Sequence, residues 1–159
     1  MSFKEQDFYF MRVALEEAMR GFDKDEVPIG AVVVSKEGVL LGKGYNSPIS
    51  SNDPTAHAEI NAIRDASRFE KNYRLTGSTL YVTLEPCLMC YGAMVHARIK
   101  RLVFGAFDKR SGLTSHLELI EKLNLNHKVE VEGGLLKEEC GEILTRFFEL
   151  KREVKKRQK

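Results

Sequence analysis

The segment PCLMCYGAMVHARI, residues 86–99, constrains this chain more than any other. Read as a helix from Cys87 to about Ala97, it is apolar nearly all round, with Leu88, Met89, Ala93, Met94 and Val95 spread over every side. Such a helix must be covered on most sides, so the rest of the chain has to wall it in. Pro86 suits the first helical position, where its missing N–H has no helical partner. The runs on either side, STLYVTL (Ser78–Leu84) and RLVFGA (Arg101–Ala106), read as strands.

The remaining pattern supplies the walls. Ser2 and Glu5 have capping-box spacing. Apolar residues at Phe8, Met11, Leu15, Ala18, Met19 and Phe22 predict a first helix to about Phe22. Ala31–Ser35 and Val39–Asn46 read as strands joined by a tight turn at Lys36-Glu37-Gly38. The run SPISSNDP, residues 47–54, is rich in turn formers and reads as loop. A helix from about Ala56 to Phe69 precedes the strand at 78–84. Beyond Ala106 come a loop, a short helix near Leu117–Leu123 and a strand at Lys128–Glu132. A long amphipathic helix from about Leu135 carries Ile143, Leu144, Phe147, Phe148 and Val154 on its apolar stripe. Strands alternating with helices after an initial hairpin predict an α/β fold of three layers, α/β/α, with helices on both faces of a five-stranded mixed sheet. The crossover between the last two strands is long enough to make them parallel. There is no internal repeat, low-complexity tract or linker, so residues 1–159 read as one domain.

Composition narrows the setting. With 43% hydrophobic and 30% charged residues the chain matches ordinary soluble domains, and no apolar run approaches a membrane span. The start, MSFKEQDFYF, lacks the basic and apolar regions of a signal peptide, which predicts a cytoplasmic protein. The three cysteines, Cys87, Cys90 and Cys140, are an odd number for a disulfide framework. Cys140 stands alone in a helical pattern and reads as a small packed apolar group. The formal charge is +2, but the last nine residues, KREVKKRQK, carry +5 and the rest of the chain −3. That basic end, 151–159, reads either as a solvated, frayed terminus or as a contact for nucleic acid.

Cys87 and Cys90, three apart in the first turn of a helix, place both sulfurs on one face. The free N–H groups and positive dipole end favour thiolates there. Two thiolates make half of a tetrahedral zinc site, and there is no second C-x-x-C to complete a structural one. His57, in DPTAHAEI, can supply a third ligand, and a three-ligand site keeps a position open for water, as catalytic zinc does. A redox pair is the competing reading of C-x-x-C, but it does not call for His-Ala-Glu upstream. His96, His116 and His127 compete for the third position. At 3.6 residues per turn His96 points away from the cysteine face, which makes it a packed or polar-tipped core residue. Glu59 follows His57 by two, and residues two apart in a regular helix do not share a face. The two converge only at a helix start or with the metal lying across the helix end.

The motifs VPIGAVVV, GYN, DPTAHAEI, NYRL, TLYVTLEPCLMCYGAMVHARI, VFGAFDKRSG and FFELKR span about Asp7 to Arg152. They resemble the zinc-dependent cytidine-deaminase-like superfamily and, within it, the bacterial tRNA-specific adenosine deaminases. The resemblance implies one Zn²⁺ per subunit on His57, Cys87 and Cys90, with Glu59 as a catalytic proton carrier that does not bind metal. It implies hydrolysis of adenosine to inosine at the anticodon wobble position, a tRNA anticodon stem-loop as partner, a homodimer, and neither membrane nor nucleotide cofactor. It assigns substrate and RNA binding to Asn46, Ile29, Ala58, Leu84, Asp108, Phe148 and Arg152. From pattern alone Asn46 is equally a turn former before Ser-Pro, and helical spacing puts Phe147 and Phe148 in the core. The motif core is shared with deaminases of free bases and nucleosides, so a guanine or cytosine deaminase is the alternative enzyme. A zinc-stabilised RNA-binding module is the non-enzymatic alternative, although it has no use for a non-ligand carboxylate at Glu59.

Overall fold

The computed structural model describes residues 2–159. Its elements run α1 Glu5–Asp23, β1 Gly30–Val34, β2 Leu40–Tyr45, α2 Pro48–Ser51, α3 Ala58–Glu70, β3 Thr79–Leu84, α4 Leu88–Ala97 and β4 Arg101–Ala106. A 3-10 turn at Leu113–His116, α5 Leu117–Lys122, β5 Glu130–Gly133 and α6 Lys137–Arg157 complete the chain. The strands form one sheet in the order β2-β1-β3-β4-β5. β1 is antiparallel to both β2 and β3, whereas β3, β4 and β5 run parallel. Connection length explains the split. Ser35 N–H donates to Val39 O at 2.8 Å in the tight β1–β2 turn, which admits only antiparallel pairing. The later strands are joined through helices, which allow parallel pairing.

Alternation along the strands divides the core into two layers. Val32, Val34, Tyr81 and Val103 pack with Met11 and Ala14 of α1 and Cys140 of α6. Ala31, Val33, Leu80, Val82, Leu102 and Phe104 pack with Ala62 and Ala66 of α3 and Met94 of α4. The result is the three-layer α/β/α arrangement. α3 lies directly on β2 because Gly42 and Gly44 have no side chain. A Cβ there would come within 2.3 Å of Ala66 N and 2.7 Å of Ala62 N. That contact sets the height at which α3 begins, and with it the position of His57.

Several boundaries differ from the sequence reading, each for a local reason. The cap of α1 is Lys4, not Ser2: Lys4 N–H donates to Asp7 Oδ2 at 3.0 Å, because Asp7 is the carboxylate that tertiary contacts hold in place. A short helix, α2, forms inside the expected loop 47–54. Pro86 stands one residue before the cap of α4, which is Cys87. β5 is Glu130–Gly133 rather than 128–132, and α6 starts at Lys137. α6 also stays helical to Arg157, so the basic end is solvated but not frayed. On α4, Cys90, Tyr91, Met94 and Val95 are buried, but Leu88, Met89 and His96 are exposed, so one side of the apolar helix is left open. No helix among the described residues is long and apolar enough to cross a membrane.

Candidate active site

Two helix starts meet at the carboxyl ends of β3 and β4, where open α/β sheets place their ligands. His57 caps α3 and Cys87 caps α4, both with extended backbone (φ −73°, ψ 154° and φ −83°, ψ 173°). Each cap carbonyl already accepts the first helical bond, from Asn61 N–H and Tyr91 N–H respectively, at 3.0 Å. The cap side chains are therefore free to project past the helix ends. This resolves the spacing of His57 and Glu59: one residue is not yet helical, the other is, and their side chains converge.

His57 Nδ1 lies 3.7 Å from Cys87 Sγ and 3.5 Å from Cys90 Sγ. All three donor atoms lie within 4.8 Å of one another. Ligands at about 2.0–2.3 Å around a tetrahedral centre sit roughly 3.5 Å apart, so the triad has the dimensions of a zinc site. One nitrogen and two sulfurs are also the donor set that zinc favours. These three residues are positioned to bind one zinc ion.

The electrostatics of the cluster fit a ligand set. A hydrogen bond from the Cys90 thiol, with further help from His57 and the Cys90 backbone N–H, outweighs burial and holds the Cys87 thiol down at about 4. Cys90 is pushed far up by that same shared proton, by burial and by the Glu59 charge. His57 is raised, mainly by its hydrogen bond with Cys87 and further by Glu59, against the effect of burial. Proton sharing of this kind is what metal binding displaces. Glu59, only 4% exposed, is pushed up by burial; a hydrogen bond with Cys90, its own backbone N–H and the nearby His57 act in the opposite direction without cancelling it.

A cleft of about 250 Å³ opens beside the triad. Of the residues singled out from the sequence, Ile29, Asn46, His57, Glu59, Leu84, Cys87 and Asp108 line it. Cys90 and Ala58 are fully buried behind it. Phe148 and Arg152 lie on α6 outside the cleft. Phe148 is exposed, contrary to the core position its spacing suggests. Phe147 takes that place, edge-on to Phe22 with centroids 5.5 Å apart. His96 is exposed rather than packed, and His127 Nε2 donates to Ile99 O at 2.7 Å, far in role from the triad.

Three further residues line the cleft without having been singled out: Val27, Glu85 and Ser111. The one available signal was Glu85, a charged residue ending an apolar strand. Two side chains, the buried Glu26 and the half-buried Asn61, also shape the rim around Asn46. Glu26 accepts from Ile49 N–H (3.2 Å), Ser50 N–H (3.1 Å) and the Ser50 hydroxyl (3.0 Å). The Asn61 amide donates to Tyr45 O at 2.8 Å and to Ser47 Oγ at 3.1 Å. Asn46 N–H itself donates to Ile29 O at 3.0 Å. A larger groove, about 460 Å³, lies between α1, β2 and α3, but the metal-ligand triad does not line it.

A three-ligand N/S zinc site with a buried non-ligand glutamate, at the strand ends of an α/β/α sheet, defines a zinc-dependent deaminase. Residues 4–106 accordingly match the cytidine and deoxycytidylate deaminase zinc-binding region. The chain belongs, within that class, to the tRNA-specific adenosine deaminase family. It is 49% identical over 156 residues to the tRNA-specific adenosine deaminase of Haemophilus influenzae, covering 98% of this chain and 90% of that one. It is 49% identical over 148 residues to the enzyme of that name from Buchnera aphidicola, covering 92% and 97%. A solved structure from work on A-to-I editing by tRNA:A34 deaminases superposes with a TM-score of 0.80 at 43% identity, covering 86% of this chain and 99% of that one.

Proposed function

We infer that this protein deaminates adenosine to inosine, hydrolytically and with zinc, at wobble position 34 of the tRNA anticodon. The carrying observation is the single cleft that joins His57, Cys87 and Glu59 to Asn46 and Asp108. Near-full-length identity to tRNA-specific deaminases directs that chemistry to tRNA. The basic, helical end of α6 suits a phosphate backbone.

Zinc, when bound, supplies Lewis acidity that brings a water toward ionisation near neutral pH. The rest of the work falls to side chains, along the course general to zinc deaminases. His57, Cys87 and Cys90 would hold the ion, each at the start of a helix packed on the sheet. Glu59 accepts a proton from the attacking water and returns it to the ring nitrogen of adenine. It then helps protonate the departing amine, so water and adenosine become inosine and ammonia. A carboxyl raised by burial holds a proton more readily than an exposed one, which suits a group that must both take and give it. Asn46 and Asp108, which both line the cleft, hold the nucleotide and its neighbour. Phe148 and Arg152, exposed on α6, meet the RNA outside the cleft, while Ile29 and Leu84 form the apolar walls and Ala58 backs them.

The 159 residues act as one deaminase domain, in the cytoplasm, as a homodimer. The open side of α4, with Leu88 42% and Met89 40% exposed on an otherwise apolar helix, supports a second copy as its cover.

Sequencing an unmodified tRNA pool after incubation with purified, zinc-loaded protein tests the reading, because inosine is read as guanosine. One A-to-G change at a wobble adenosine is expected. Unchanged tRNA alongside ammonia release from free guanine or cytosine would overturn it. Deleting residues 152–159 should weaken RNA binding and flatten its salt dependence, the log–log slope falling by roughly 0.7 for each lost contact to single-stranded RNA. Binding measured at several salt concentrations checks this.

A further inference from the structure

Glu85 is a buried carboxylate, 4% exposed, at the end of β3 and two residues before a zinc ligand. All its side-chain partners come from one loop, residues 107–114. Its Oε1 accepts Asp108 N–H at 3.0 Å, and its Oε2 accepts Thr114 N–H at 2.5 Å and the Thr114 hydroxyl at 2.6 Å. No cation pairs with it among the described residues. A buried charge without a counter-ion is tolerated only when donors satisfy it, and three donors to two oxygens need acceptors on both. Glutamine would turn an amide N–H toward a backbone N–H at one end or the other.

The loop is closed around this carboxylate. Pro86 O accepts Leu113 N–H at 2.9 Å, and Asp108 O accepts Gly112 N–H at 3.0 Å. A Cβ at Gly112 would lie 2.4 Å from the Glu85 carboxylate and 2.3 Å from Asp108 O, so nothing larger than glycine fits. Asp108 in turn accepts Ser111 N–H at 3.4 Å and the Ser111 hydroxyl at 3.1 Å. Asp108 and Ser111 both face the cleft.

We propose that Glu85 is a positioning residue that fixes the 107–114 loop relative to the zinc cradle and so sets the grip on the nucleic-acid substrate rather than the chemical step. This rests on the proposed reading of the cleft as an RNA deaminase site. The strand that delivers Cys87 also delivers the anchor of the rim, so metal site and rim keep one spacing.

Glu85→Gln and Thr114→Val test it, the second deleting one donor at the exposed end of the loop without altering β3. For Glu85→Gln, zinc content should stay at the wild-type level and KM for an anticodon stem-loop should rise about tenfold, as for a lost charge-assisted hydrogen bond, with kcat far less affected. Thr114→Val should move KM in the same direction by less. Amide exchange at Asp108 and Thr114 should quicken in Glu85→Gln while exchange within α4 stays unchanged. Loss of zinc, a fall in kcat with KM intact, or unchanged KM and unchanged loop exchange would overturn the proposal. If Glu85→Gln does not fold, the KM and exchange of Thr114→Val decide, and wild-type values there overturn it. Failure of the wild-type protein to act on any RNA would sink the functional reading instead, while the exchange measurement would still judge Glu85.

Discussion

Buried charge gathers at both ends of β3 and β4, and the two ends treat it in opposite ways. At the strand starts, Asp7 of α1 accepts from Arg101 at 2.7 Å and from the Tyr81 hydroxyl at 2.7 Å, and Arg101 also reaches Glu132 at 2.7 Å. Burial alone would raise the Asp7 carboxyl, but the bonds to Arg101, Tyr81 and the Lys4 N–H hold it down at about 2. At the strand ends, Glu59 is as deeply buried, has no cation bridged to it among the described residues, and is pushed up. A carboxylate whose charge the protein has paired is a structural element. One whose charge is left to a proton is available for chemistry.

Substitutions should separate the ends by sign as well as size. Glu59→Gln is expected to lower turnover by roughly 10³-fold or more, as for loss of an acid–base group, with zinc content unchanged. Its thermal midpoint should be equal to or above wild type, because an ionised acid whose folded value is raised costs stability above its ordinary range. Measurable residual turnover near wild type would remove Glu59 from the reaction. Arg101→Ala should do the reverse, costing about 3 kcal/mol in denaturant unfolding by stranding Asp7, while zinc content and kcat of the folded protein hold. A drop in kcat there would erase the distinction between the ends.

Acid provides a gentler probe. Asp7 titrates near 3.8 when unfolded and near 2 when folded, so its contribution is present in full above about 4 and is lost as pH falls toward 2. That contribution is on the order of 2 kcal/mol, and Asp7→Asn should remove its share of the acid slope in a stability-versus-pH series. An identical slope in the variant would mean that other carboxylates carry it. The smallest effect belongs to Tyr81→Phe, about 1 kcal/mol for one hydroxyl, since Arg101 and the Lys4 N–H still serve Asp7. Calorimetry of the two proteins side by side measures it.

What could be read before the structure was whatever repeats locally. The continuous apolar runs at Ala31–Val34 and Leu80–Val82 and the helical spacing from Phe8 to Phe22 announce their elements, and H-A-E with P-C-x-x-C announces the metal site. What could not be read depends on contacts distant in sequence. The α1 cap falls at Lys4 rather than Ser2 because Asp7, which accepts the Lys4 N–H, is already held by Arg101, 94 residues away. The insertion of β1 between β2 and β3 leaves no mark in either strand's pattern. Glu85 looks like any charged strand terminus until the loop carrying Thr114, 29 residues on, closes over it. Phe147 and Phe148 are both apolar neighbours on one helix, and only the placement of Phe22 selects which is buried.

The ligands themselves stand 30 and 33 residues apart along the chain, His57 on one side and the two cysteines on the other. An ion held by all three therefore ties a ring of polypeptide that contains α3 and the central strand β3. By analogy with a covalent cross-link closing a ring of that size, the denatured chain would forfeit freedom worth roughly 3–4 kcal/mol. The reactive centre is thus also a fastener, and a substitution at any ligand will reach the cell as a less durable protein as well as a silent one.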